Sequence, residues 1–130
     1  MLNKIIVLAI DDNLQQLSEF KTILSQRYDL RVVKAASEAI AYLNKNKSDI
    51  LLLDIEMPNI SGFEFLQDIK KIPSYVNVPI IVVSGNSGKD FTDKAISYGA
   101  AAVLGKPVNQ DLLIQTIDKM YSKAIHNKER

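Results

Sequence analysis

The sequence predicts a doubly wound α/β fold that forms a single domain over residues 1–130. Three observations favour this fold. Short apolar runs alternate with amphipathic segments five times along the chain. The runs are apolar throughout, as expected of strands covered on both faces. The length also suits one domain with one hydrophobic core.

The first two strand-helix units occupy the first third of the chain. The apolar run 5–10 predicts a buried first strand, and 30–33 predicts a short second strand. Between them a three- and four-residue spacing predicts a helix whose apolar stripe is Leu14, Leu17, Phe20, Ile23 and Leu24. Ser37 and Glu38 suit the first turn of a second helix, whose stripe is Ala36, Ala39, Ile40 and Leu43.

The third and fourth units repeat this alternation. Residues 50–53 predict a third strand that ends at Asp54, and 79–83 predict a fourth that ends at Ser84. The turn 58–62 separates the third strand from the third helix. The apolar stripes of the third and fourth helices are Phe63, Leu66 and Ile69, and Phe91, Ala95 and Tyr98.

The last unit begins after Gly99, which is expected to end the fourth helix. Residues 101–104 predict a fifth strand that ends near Lys106 and Pro107. Asn109 is the expected N-cap of the last helix, whose stripe is Leu112, Leu113, Thr116, Ile117 and Met120.

The alternation of strands and helices determines the expected topology. It implies a parallel sheet with helices on both faces and right-handed crossovers. Five strands are too few for a closed barrel. We therefore predict the flavodoxin-like (βα)5 arrangement with strand order 2-1-3-4-5. In such sheets ligands bind beyond the carboxyl ends of the strands, where the strand order reverses between strands one and three.

Composition excludes several classes of protein. The 16 basic and 15 acidic residues leave a net charge of +1, which gives no electrostatic footprint for nucleic acid. The run 5–10 is too short for a signal-peptide core or a membrane span. The sequence has no cysteine, so disulfides and thiolate chemistry are excluded. We expect a soluble, cytoplasmic protein that binds neither nucleic acid nor membrane directly.

Three carboxylates follow strands one and three, at the expected ligand-binding edge. Asp11 and Asp12 follow the first strand and Asp54 the third. Alone, Asp12 could cap the first helix and Asp54 could be a turn residue. Together they repel, by roughly 4 kcal/mol for two charges about 4 Å apart at an effective dielectric of about 20. Such a cluster suits a hard divalent cation, Mg²⁺ or Mn²⁺.

Strands four and five add a hydroxyl, Ser84, and an ammonium, Lys106. Each is weak evidence alone, because exposed lysines are ordinary and a serine before Gly85 often begins a turn. With Asp54 they suit phosphoryl transfer, in which Asp54 would form an acyl phosphate and Lys106 would stabilise the transferred oxygens. A cis Lys106–Pro107 bond in a tight turn would direct the lysine back to the strand ends.

These positions resemble, in order and placement, the response-regulator receiver domains. The matched residues are Asp11, Asp12, Asp54, Ser84 and Lys106 with Pro107. Residues 52–62 also resemble the phosphoacceptor loop of that family, and 95–100 resemble its approach to the fifth strand. The resemblance covers essentially the whole chain.

The resemblance implies a role for each matched residue. Asp54 would accept phosphate from a histidine kinase or a histidine phosphotransfer protein and become 4-aspartylphosphate. Ser84 and Lys106 would each bind a phosphoryl oxygen, and the Lys106–Pro107 bond would be cis. The implied Mg²⁺ ligands are Asp12, Asp54 and the backbone carbonyl of Glu56 directly, and Asp11 through water. We further hypothesise that the added charge switches the face built from the fourth helix, fifth strand and fifth helix, which would control an output domain or partner.

The chain departs from the family pattern at two positions. Val103 replaces the aromatic residue whose rotamer reports phosphorylation, so that switch is excluded. Val108 stands where phenylalanine is frequent, and Gly85 satisfies a preference for a small residue. The resemblance places Glu56 and Asn86 beside the phosphoryl group, where we expect them to tune its lifetime. We hypothesise that Glu56 orients or repels the attacking water; the alternative is a solvated loop residue.

Two other functions fit parts of this pattern. A pseudo-receiver would act as a docking or dimerisation module without phosphorylation, but the complete set of five residues argues against it. A phosphatase with an aspartyl nucleophile usually needs a cap over its substrate, for which 130 residues leave no room. It would also leave Asp11 and Asp12 unexplained. The preferred interpretation is a signalling domain and not an enzyme acting on other substrates.

Overall fold

A computed structural model describes residues 4–128, and the side chains of 4–127. Residues 1–3 and 129–130 of the predicted domain lie outside this range. The elements are β1 (Ile6–Ile10), α1 (Leu14–Leu24), β2 (Asp29–Val33), α2 (Ala36–Lys45), β3 (Ile50–Leu53), α3 (Gly62–Lys71), a 3₁₀ helix (Pro73–Tyr75), β4 (Ile80–Ser84), α4 (Lys89–Ser97), β5 (Ala102–Gly105) and α5 (Gln110–Lys128). The five strands form one parallel sheet in the order β2-β1-β3-β4-β5, which confirms the predicted fold and topology.

The register of the sheet aligns the strand ends that precede the polar residues. Ile10 pairs with Leu53, so the residues that follow β1 and β3 emerge side by side. Ser84 pairs with Gly105, which places the end of β4 beside the start of the β5–α5 loop. The carboxyl edge of the sheet therefore brings four separate segments of the chain together.

Both faces of the sheet are buried, as the apolar runs predicted. One face packs its alternate strand residues on buried side chains of α1 and α5, including Leu17, Phe20, Leu113 and Ile117. The other face packs on α2, α3 and α4, including Leu43, Leu66, Ile69 and Ala95. The central strands are therefore packed between two apolar layers, which fix the positions of their carboxyl ends.

The apolar stripes predicted for the helices were wrong at two positions, which are exposed instead of buried. Leu14 is 64% exposed and Leu112 is 49% exposed. Leu14 is the first residue of α1, and Leu112 lies in the first turn of α5. Both helices begin beyond the carboxyl ends of the strands, so no sheet side chain covers these residues.

Asparagine side chains cap the two helices that begin at the carboxyl edge of the sheet, α1 and α5. Asn13 caps α1, because its Oδ1 accepts a hydrogen bond from Gln16 N at 2.9 Å. Asp12 is therefore not the N-cap of α1, and its carboxylate lies instead in the cluster with Asp11 and Asp54. Asn109 caps α5 as predicted, and its Oδ1 accepts from Leu112 N at 2.9 Å.

The end of α4 shows the predicted glycine stop. Gly99 has a φ of 119°, a conformation that side chains disfavour. Its N–H donates to Ile96 O, and Ala100 N–H donates to Ala95 O, so two carbonyls in the last turn of the helix are satisfied. None of the helices within residues 4–128 is both long enough and apolar enough to span a bilayer.

Candidate functional site at the carboxyl edge of the sheet

Three carboxylates meet where β1 and β3 end. One oxygen from each of Asp11, Asp12 and Asp54 lies within 4.8 Å of the others. Asp11 and Asp54 are buried, with 1% and 6% of their surface exposed, while Asp12 is exposed. The sheet register produces this convergence, because Asp11 and Asp54 directly follow the paired residues at the strand ends.

The buried carboxyl of Asp11 lies in a costly environment for an anion. Burial raises its pKa above the ordinary value, and the nearby charge of Asp54 raises it further. The N–H of Asn13, which donates to Asp11 Oδ1 at 2.9 Å, and the ammonium of Lys106 partly offset this effect. Burial and repulsion therefore disfavour the charged form of Asp11, and a cation beside it would favour that form.

Lys106 supplies the positive charge within the site. Its Nζ lies 3.3 Å from Asp11 Oδ2 and 3.5 Å from Asp54 Oδ2. The side chain is 26% exposed, so these pairs are only partly screened by water. The Lys106–Pro107 peptide bond is cis, the form expected from the sequence. Lys106 N–H also donates to Ser84 O at 2.9 Å, which ties the β5–α5 loop to the end of β4.

The carboxylate of Asp54 is held from two sides. Its Oδ1 accepts a hydrogen bond from Glu56 N at 2.9 Å, and its Oδ2 faces the Lys106 ammonium. The backbone N–H of Asp54 donates to Ile10 O at 3.0 Å. The side chain therefore has a defined orientation at the edge of the sheet.

Ser84 is fully buried at the end of β4. Its hydroxyl donates a hydrogen bond to Glu56 Oε1 and accepts one from Asn86 N at 3.1 Å. Every site residue predicted from the sequence thus lies in one cluster, including the two proposed for rate tuning.

Comparison with known proteins decides the family. The model of the response regulator receiver domain matches residues 7–118, which is most of the chain. The chain belongs to the response regulator receiver domain family. It is a receiver domain of two-component signalling, as its sequence motifs predicted.

Relatives and solved structures agree with this assignment. A probable cyclic di-GMP phosphodiesterase of Vibrio cholerae is 30% identical over 112 residues, covering 86% of this chain and 25% of that protein. The hybrid signal transduction histidine kinase I of Dictyostelium discoideum is 32% identical over 127 residues, covering 92% of this chain and 7% of that protein. A CheY-like receiver domain protein from Methanospirillum hungatei JF-1 superposes with a TM-score of 0.87 at 25% identity, covering 96% and 99% of the two chains.

The chain spans about a quarter or less of the length of these two curated relatives. The phosphodiesterase and kinase names describe those much longer proteins. Receiver domains take phosphate from histidine kinases or phosphotransfer proteins and take part in phosphorelay. The phosphodiesterase activity of such relatives is not shown to belong to a receiver domain.

The donor set of the receiver domain fits a hard divalent cation. Three carboxylates contribute oxygen ligands within 4.8 Å of one another, and oxygen is the donor that Mg²⁺ prefers. Burial, and the nearby charge of Asp54, raise the pKa of Asp11, and a cation bound between the carboxylates would counter both effects. Receiver domains in general bind Mg²⁺ at such an acidic pocket.

Sequence reasoning missed the hydrogen bond from Ser84 to the side chain of Glu56. Glu56 was singled out only for its position two residues after Asp54. Its carboxylate is on an exposed side chain, and the sequence carries no signal for the rotamer that brings it to a buried hydroxyl.

Proposed function

We propose that Asp54 accepts the phosphoryl group, from a histidine kinase or a histidine phosphotransfer protein, and that residues 1–130 form one phosphoacceptor domain. The observation that supports this best is the placement of the Asp54 carboxylate. It lies between the Lys106 ammonium and the Glu56 N–H, beside two further carboxylates. A nucleophile held in this way, next to charge-neutralising groups, suits phosphoryl transfer.

The transfer consists of one exchange of bonds. A carboxylate oxygen of Asp54 forms a bond to phosphorus, and the bond from phosphorus to the donor nitrogen breaks, with its electron pair remaining on the imidazole. Lys106 stabilises the negative charge on the transferred oxygens. Ser84 donates a hydrogen bond to another phosphoryl oxygen once the group is in place.

The proposed Mg²⁺ (or Mn²⁺) ligands come from three adjacent segments of the chain. They are Asp12, Asp54 and the backbone carbonyl of Glu56 directly, with Asp11 acting through water. The bound ion would neutralise charge on the phosphoryl oxygens and on the carboxylates. Glu56 and Asn86, which both bond Ser84, would tune the lifetime of the phosphorylated state.

Signal output follows from the connection of Ser84 to α4. The phosphoryl group adds roughly −1.5 to −2 charge and new acceptors, which attract the Ser84 hydroxyl and the loop 85–88. Loop movement shifts the α4–β5–α5 face between two states and so controls an output domain or partner in the cytoplasm. Val103 excludes an aromatic rotamer switch there. Amide NMR shifts on adding beryllofluoride should extend over this face; shifts confined to the pocket would contradict the output model.

Labelling with acetyl phosphate and Mg²⁺ tests the proposal. We expect the wild type to gain phosphate, as measured by intact mass, and Asp54→Asn to gain none. Asp68→Asn is the matched control, because Asp68 is an exposed carboxylate on α3. A wild type that takes no phosphate would favour the alternative, a docking or dimerisation module that works without phosphorylation.

A further inference from the structure

The Ser84 hydroxyl is already engaged before any phosphoryl group arrives. It donates its hydrogen bond to the Glu56 carboxylate. We propose that the Glu56 side chain is a latch that holds Ser84 until Asp54 is phosphorylated. This inference rests on the proposed function, in which Ser84 binds a phosphoryl oxygen. It assigns to Glu56 a positioning role that acts through Ser84, separate from any effect on the attacking water.

The latch follows from the limited donor capacity of serine. A serine hydroxyl has a single proton to donate. Ser84 is fully buried, so its hydroxyl relies on hydrogen-bond partners within the protein. Its oxygen also accepts from Asn86 N at 3.1 Å, which holds the side chain against the β4–α4 loop. The hydroxyl must therefore release Glu56 before it can donate to the phosphoryl group.

Phosphorylation changes the balance between the two acceptors. Both are anionic, and hydrogen bonds to charged acceptors are the strong ones. The phosphoryl group carries more charge than the carboxylate, and it repels the carboxylate as well. Glu56 is exposed, so its released carboxylate can be solvated by water. Exchange of the Ser84 proton from Glu56 to the phosphoryl oxygen is thus favoured only after phosphorylation.

The backbone of Glu56 can remain fixed while its side chain is released. Its N–H donates to Asp54 Oδ1 at 2.9 Å, which anchors the loop to the phosphoacceptor. Gly85 leaves room for the Glu56 side chain to move, because even a Cβ at position 85 would lie 3.9 Å from Glu56 Oε1. Only the Glu56 side chain needs to rotate, so the latch can open without unfolding the loop.

Two variants of Glu56 separate the latch from simple charge repulsion. Glu56→Asp keeps the charge but shortens the side chain by one methylene, so we expect its carboxylate to lose the hydrogen bond to Ser84. Glu56→Gln keeps the reach and an acceptor oxygen but removes the charge. Because Glu56 is exposed, both variants should fold. Glu64→Asp, at an exposed position on α3, is the matched control.

The experiment titrates the Mg²⁺-saturated protein with beryllofluoride and follows the amide resonances of Gly85 and Asn86. The latch predicts that Glu56→Asp binds roughly three- to tenfold more tightly than wild type, from the loss of one competing hydrogen bond. Glu56→Gln should stay closer to wild type than Glu56→Asp does. Tighter binding by Glu56→Gln than by Glu56→Asp, or no gain in either, would overturn the latch.

A second readout needs neither metal nor phosphoryl mimic. In the metal-free protein Glu56→Asp should shift the Asn86 amide resonance, because that N–H donates to the Ser84 oxygen. An unchanged Asn86 resonance would show that the contact is absent and the latch wrong. Failure of the proposed function gives a different result: wild type and both Glu56 variants would then bind beryllofluoride no better than Asp54→Asn.

Discussion

The Nζ atom of Lys106 lies 3.5 Å from Oδ2 of Asp54, although the two residues follow different strands. The same nitrogen lies 3.3 Å from Asp11 Oδ2. One ammonium therefore bridges two of the three carboxylates in the acidic cluster. It offsets their repulsion and faces the carboxylate that we propose to be phosphorylated.

Replacing Lys106 by methionine should separate phosphoryl transfer from metal binding. The methionine keeps much of the side-chain volume but removes the charge. We expect the rate of labelling by acetyl phosphate to fall on the order of a hundredfold, because one charge-stabilising donor is lost. Calorimetry should show Mg²⁺ binding that is unchanged or tighter, since a competing cation is gone. Lys89→Met, at an exposed lysine on α4, is the control. Labelling of Lys106→Met at the wild-type rate would contradict a role for Lys106 in phosphoryl transfer.

Mg²⁺ should stabilise the fold through the acidic cluster. A ligand that binds only the folded state raises the melting temperature as its concentration rises. We expect such a rise in the wild type and its loss in Asp12→Asn. The metal-free Asp12→Asn variant should melt close to wild type, because this side chain is exposed. Asp68→Asn should respond as wild type does. An equal rise in melting temperature with Mg²⁺ in Asp12→Asn and in the wild type would show that Asp12 is not a ligand of the ion.

The convergence at the sheet edge was predictable from sequence, for a physical reason. Parallel strands all present their carboxyl ends at one edge, so polar residues that follow buried runs must meet there. Asp11, Asp54, Ser84 and Lys106 all follow such runs. Once the strands and their order were inferred, the cluster followed without any knowledge of side-chain positions.

Other features could not be obtained from sequence. Periodicity predicts an apolar stripe but not where the sheet beneath it ends, so Leu14 and Leu112 were wrongly assigned to the core. Asp12 and Asn13 are adjacent and both able to cap a helix, and local geometry selects Asn13. The contact between Glu56 and Ser84 depends on one rotamer in a loop, which no sequence pattern specifies.

Gly62 should be intolerant of any side chain. A Cβ there would lie 1.9 Å from Ile55 O and 2.4 Å from Ile55 Cβ, where α3 begins against the loop that follows Asp54. We expect Gly62→Ala to lower the free energy of unfolding by about 1–3 kcal/mol or more, because backbone must shift. Gly85→Ala is the matched control, since the nearest atom to its Cβ is 3.9 Å away. Urea denaturation measures both. Equal free energies of unfolding for the two variants would show that the loop at Ile55 can move to accommodate a side chain at position 62.

Tyr28 should make stability depend on pH in the alkaline range. Burial, followed by the hydrogen bond to Asp118, raises the pKa of Tyr28 to about 12 from 10.0. The neutral phenol donates to Asp118 Oδ1 at 2.8 Å, so its stabilising contribution is complete below pH 10.0. That contribution is lost as the pH rises towards about 12.

Comparison of Tyr28→Phe with wild type by urea denaturation isolates this effect. We expect the variant to be less stable by about 1 kcal/mol near neutral pH, from the lost hydrogen bond. The difference in the free energy of unfolding should shrink above pH 10.0, because only the wild type then loses the contribution of Tyr28. A difference that stays constant across this range would show that the pKa of Tyr28 is not raised.

Chemical trapping of the phosphorylated residue tests the central proposal most directly. Borohydride reduces an aspartyl phosphate to homoserine, which peptide mass spectrometry can locate after labelling with acetyl phosphate and Mg²⁺. We predict homoserine at position 54 alone, with Asp11 and Asp12 unmodified in the same sample. Trapping at Asp11 or Asp12, or homoserine formation in Asp54→Asn, would contradict the assignment of Asp54 as the phosphoacceptor.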